Sequence, residues 1–91
     1  MMEITLEPTL SHCIETVAKK EYNRVLKLLL RGEEDEGLLD ALELLRIFLE
    51  TEDFRRLRSR CEEALLAGRQ TEVVLRSTQW SPPYEIEIRE R

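Results

Sequence analysis

Hydrophobic side chains recur at two different periods along this chain, and the order of those periods limits its fold more than any other feature. Near the start, Met2, Ile4 and Leu6 alternate with Glu3, Thr5 and Glu7. Near the end, Tyr84, Ile86 and Ile88 alternate with Glu85, Glu87 and Arg89. A period of two places alternate side chains on opposite faces of a strand, so residues 2–7 and 84–90 read as half-buried strands. The stretch Thr71-Glu72-Val73-Val74-Leu75-Arg76 also suits a strand.

Between these segments the period lengthens to that of a helix. From about residue 10 to 31, Leu10, Cys13, Ile14, Val17, Ala18, Val25, Leu28 and Leu29 share one broad face, opposite Lys19, Lys20, Asn23 and Lys27. Thr9 or Ser11 can cap its start, and Gly32 can end it. The acidic loop 33–36 lacks the alternating ligands of a calcium loop, and Asp35 suits the cap of a second helix over about 36–50. That helix is apolar over more than half its circumference, so it should be contacted on more than one side. Thr51-Glu52-Asp53 marks a boundary, with Thr51 as the expected cap. A third helix follows to about Ala67 and stops at Gly68, with a narrow stripe of Phe54, Leu57, Cys61, Ala64 and Leu65.

The expected fold is one α+β domain over residues 1–91, in the order β-α-α-α-β-β. Three helices would pack on one face of a small three-stranded sheet, making a two-layer domain. If each helix reverses the chain, the second strand runs parallel to the first, and the sheet is mixed.

The net charge is −5, unevenly spread: residues 1–52 carry six basic and twelve acidic side chains, whereas residues 53–76 carry six and four. The acidic balance speaks against general nucleic-acid binding, which needs a basic excess. No apolar run approaches the roughly 18 residues of a membrane span, so no membrane partner is expected. The start, Met1-Met2-Glu3-Ile4-Thr5, has no basic segment leading into an apolar run, which points to a cytoplasmic protein. There, Cys13 and Cys61 are expected to be reduced and packed as small hydrophobes.

Few side chains suit catalysis. His12 is the one histidine. Its neighbour Cys13 points about 100° away on a helix, so the two do not make a thiolate–imidazole pair. His12, Cys13 and Cys61 have no recognisable metal-ligand spacing, and no glycine-rich phosphate loop is present. No cofactor is expected.

Three features remain. Glu21 falls in the apolar face of the first helix, where a carboxylate must be paired, protonated or turned to water; it is the candidate buried acid, with Arg58 as a suitable partner. Arg55, Arg56 and Arg60 line the polar side of the third helix and could contact phosphates or an acidic partner. Trp80, in the proline-rich connection 77–83, is of the residue type favoured as an interface anchor. The expected function is a small non-enzymatic interaction module. It would act by self-association, as a homodimer through the second helix or a sheet edge, or through a partner protein. The alternative is a nucleic-acid-associated regulator using the Arg-rich third helix.

Overall fold

A computed structural model describes residues 2–91. Its elements are β1 (Glu3–Leu6), α1 (Ile14–Leu30), α2 (Glu36–Thr51), α3 (Phe54–Leu66), β2 (Thr71–Ser77) and β3 (Tyr84–Glu90). The class is α+β, and each of the expected strands and helices is present in the expected order.

Helix boundaries follow local chemistry. Asp35 caps α2, its Oδ1 accepting the Gly37 amide at 2.8 Å. Asp53 caps α3, its Oδ1 accepting the Arg55 amide at 3.2 Å. Thr51, the expected cap, is instead the last residue of α2, and its hydroxyl donates to the Ile47 carbonyl at 2.7 Å. α1 begins four residues later than expected. Thr9 and His12 close a turn through reciprocal backbone hydrogen bonds, and Thr9 Oγ1 accepts the His12 amide at 3.0 Å. Leu10 therefore sits in this turn, exposed, rather than on the helix's apolar face. Gly68, with φ of 81°, ends α3 in a conformation that a β-carbon disfavours.

The sheet is antiparallel throughout, in the order β1-β2-β3. Ile4 lies opposite Leu75 and Leu6 opposite Val73, while Val73 and Leu75 lie opposite Ile88 and Ile86. The expected mixed sheet is thus incorrect, and the reason lies between α2 and α3. Two residues, Glu52 and Asp53, join these helices, which scarcely touch. The link bends the chain without folding α3 back along α2. The count of three reversals therefore fails, and β2 runs opposite to β1.

The helices also do not form an even layer on the sheet. α2 packs mainly against α1, α1 also meets α3 and β1, and α3 meets β2. α2 reaches further through Phe48, whose ring lies edge-on to Phe54 at 5.1 Å and to Tyr84 at 5.7 Å between centroids. α2 thus meets α1 and, through Phe48, also α3 and β3. Ile14, Val25, Leu45, Phe48, Val73 and Leu75 form the centre of one core.

The other sheet face carries Glu3, Thr5, Glu72, Arg76, Glu85, Glu87 and Arg89, with fully buried Val74 in their midst. Arg76 crosses all three strands. Its Nε donates to Glu3 Oε2 at 2.8 Å, and its Nη2 lies 3.0 Å from Glu87 Oε1. Glu87 Oε2 accepts in turn from Arg89 Nε at 2.6 Å.

Candidate functional site

The surface features of interest come from α3, the β2–β3 connection and the free edge of β3. Capping by Asp53 sets the start of α3, and burial of Leu57, Cys61 and Ala64 fixes which side turns outward. Arg55, Arg56, Arg58 and Arg60 are all exposed. Among the described residues, none of the four has a carboxylate within 4.0 Å, and Arg58 does not pair with Glu21. Arg24, Arg46, Arg69, Arg76, Arg89 and Arg91 are all paired. Arg55 and Arg56 also stand in the first turn of α3, where the helix dipole disfavours a cation.

Arg60 lines a cleft of about 360 Å³ between α3 and β3, together with Glu63, Ala64, Ala67, Ile88 and Glu90. Trp80 is 79% exposed and lines a separate depression with Ser77, Thr78 and Glu85. Glu85 and Glu90 lie at opposite ends of β3, about 17 Å apart at strand rise. The arginine cluster and Trp80 therefore do not share a site. Trp80 is held by its backbone: its amide donates to Thr78 Oγ1 at 3.4 Å, and Thr78 Oγ1 donates to the Pro82 carbonyl at 3.1 Å.

Glu21 is not enclosed: its side chain keeps 27% of its exposure and is paired with Arg24, whose Nε donates at 2.8 Å. The partner is three residues along the same helix rather than Arg58 on α3. Such a pair stabilises by well under about 1 kcal/mol and needs no ligand to complete it.

The two thiols are free and differ in character. Cys13 precedes α1, and its Sγ lies 3.4 Å from Thr16 Oγ1. This hydrogen bond, helped by the first-turn amides and by Arg58, lowers its pKa below the ordinary thiol value. Burial raises that of Cys61. His12 is exposed. Among the described residues, no group of three or more His, Cys, Asp or Glu side chains is placed to hold a metal ion.

Two arrangements escaped the sequence reading. One is the Tyr84 hydroxyl, which lies 3.0 Å from Thr51 Oγ1 and 3.2 Å from Glu52 Oε2. The other is the ionic ladder through Arg76. Its signal was present in the alternation of Glu85, Glu87 and Arg89, although the opposing strand had to be known to use it.

A protein-family model matches residues 2–85, from the residue before β1 to the second residue of β3. The chain belongs to this family. A relative within reach of direct comparison is an uncharacterised protein of Archaeoglobus fulgidus. It is 44% identical over 62 residues, spanning 65% of this chain and 72% of the relative. No solved structure matches the chain.

Proposed function

We propose that this member of the family is a small non-enzymatic interaction module that acts through self-association. The observation that carries this reading is the free edge of β3. β3 is seven residues long and pairs with β2 alone, leaving its other side without strand hydrogen bonds among the described residues. An unpaired strand of that length is a template for another strand. The edge suits the role better than α2, whose Leu44, Leu45 and Phe48 are consumed by the chain's own core.

The chemistry near the candidate side chains supports a non-enzymatic role. Cys13 is bonded to a threonine hydroxyl rather than a base, and Glu21 is held by Arg24. The free thiols suit a reducing compartment, so we take the protein to work in the cytoplasm. Sedimentation of the purified chain over a concentration series tests the reading, which expects a reversible dimer. A monomer at high micromolar concentration would overturn it.

A second reading rests on the four arginines of α3 that lack carboxylate partners. They fit an acidic partner or a phosphate backbone, as a nucleic-acid-associated regulator would require. Titration with a mixed-sequence duplex across salt concentrations tests it. Binding should weaken with salt and with substitution of Arg56 and Arg60. No binding at low salt removes it.

A further inference from the structure

We infer that a second copy of this chain adds to β3 as an antiparallel strand about a two-fold axis, with Ile88 opposite Ile88, producing one six-stranded sheet. The inference rests on the self-association reading and specifies its surface.

The β2–β3 ladder determines which backbone groups face outward. Gln70 and Arg91 exchange both N–H···O bonds, at 3.1 and 2.8 Å, and the Thr78 amide donates to the Pro83 carbonyl at 2.9 Å. In an antiparallel ladder every second opposed pair is bonded in this way. Glu85, Glu87 and Arg89 therefore direct their backbone groups at β2, and Ile86, Ile88 and Glu90 direct theirs outward. An incoming strand must meet those three residues, so an antiparallel second β3 has only a few registers.

Charge selects among them. With Ile88 opposite Ile88, Glu87 faces Arg89 of the second copy and Glu85 faces Arg91 of the second copy. By symmetry that gives four pairs of opposite sign on the outer face. Centring the pairing on Glu87 leaves two Glu85–Arg89 pairs but sets Glu87 against its own copy, and centring it on Arg89 leaves two Glu87–Arg91 pairs but sets two arginines together. Centring it on Ile86 sets Glu85 against Glu87. Opposite charges directly across a pair of strands stabilise, and like charges destabilise. The selected register also continues the ladder from Glu3 through Arg76 and Glu87 to Arg89 of the second copy.

The other edge has no comparable match. β1 has four residues, is followed closely by Pro8, and offers Glu3, Thr5 and Glu7 outward with no basic residue among them. Space is available on the helix side of β3, where the cleft beside Ala67, Arg60 and Ile88 opens at the edge.

Two kinds of variant test the register by sedimentation and native mass spectrometry of the full chain. Glu87→Arg and Arg89→Glu each place like charges opposite one another and should each weaken dimerisation by about tenfold. Mixing the two should restore a one-to-one heterodimer, because each then supplies the charge the other lacks. Ile88→Pro removes an outward N–H without touching the β2 ladder. It should leave a monomer with the far-ultraviolet circular dichroism of the parent. A dimer unaffected by Ile88→Pro and not exchanged in the mixing experiment would overturn the inference while leaving self-association intact. A monomeric parent chain would overturn both.

Discussion

The hydroxyl of Tyr84, the first residue of β3, lies 3.0 Å from that of Thr51, the last residue of α2. Thr51 gives its own proton to the Ile47 carbonyl, so toward Tyr84 it acts as acceptor. The tyrosine proton is thus shared between Thr51 Oγ1 and the Glu52 carboxylate. This contact fastens the end of α2 to the sheet where the chain bends into α3, the bend that makes the sheet antiparallel. Tyr84→Phe keeps the ring against Phe48 and removes the hydroxyl. It should cost about 1 kcal/mol, the typical net worth of a hydrogen bond, measured by denaturant unfolding.

The same tyrosine predicts an alkaline limit. Burial, and then the Glu52 charge, raise its pKa above the ordinary value of 10.0, against the opposing effect of the Thr51 hydroxyl, which can turn to donate once the phenol is ionised. The folded state therefore holds the proton more tightly than the unfolded chain. Its stabilising effect is complete below pH 10.0 and is lost as pH rises through the folded value. Stability of the parent chain should fall above that point. Tyr84→Phe should flatten this part of the profile, and an unchanged slope would show that Tyr84 is not the group responsible.

The elements were legible because each depends on a local pattern, whereas the errors arose from single contacts between elements. Strands 84–90 and 71–76 needed only alternation and apolar content. The direction of β2 needed the Glu52–Asp53 bend, which leaves no trace in periodicity. Thr51 was misread because Asp53, two residues on, offers a carboxylate to the same helix start. Glu21 suggested a partner across the core because the apolar face hid Arg24, which reaches it from one turn further along. The candidate residues of α3 were found from charge alone, but their separation from Trp80 depends on the length of β3.

The core predicts a graded response. Phe48 is fully buried and meets Phe54 and Tyr84 edge-on, joining α2 to α3 and β3. Phe48→Ala should cost about 3–5 kcal/mol, combining lost burial with a residual cavity. In a domain this small, that would approach the whole stability. Phe48→Leu keeps most of the volume and should cost clearly less. Equal losses for the two would mean that ring geometry, rather than filled volume, dominates the site.

The two cysteines should separate under alkylation of the native protein. Cys13 is half-buried beside α1, and its hydrogen bond from Thr16 favours the thiolate; Cys61 is buried on α3, with its ionisation disfavoured. Iodoacetamide at neutral pH should therefore modify Cys13 first, with Cys61 reacting only on unfolding. Thr16→Val removes the hydroxyl that is the largest cause of the lowering, so it should slow the Cys13 reaction and shift its pH profile upward. Peptide mapping by mass spectrometry over a time course resolves the two sites. Faster labelling of Cys61, or a rate at Cys13 indifferent to Thr16→Val, would contradict this account of the thiol environments.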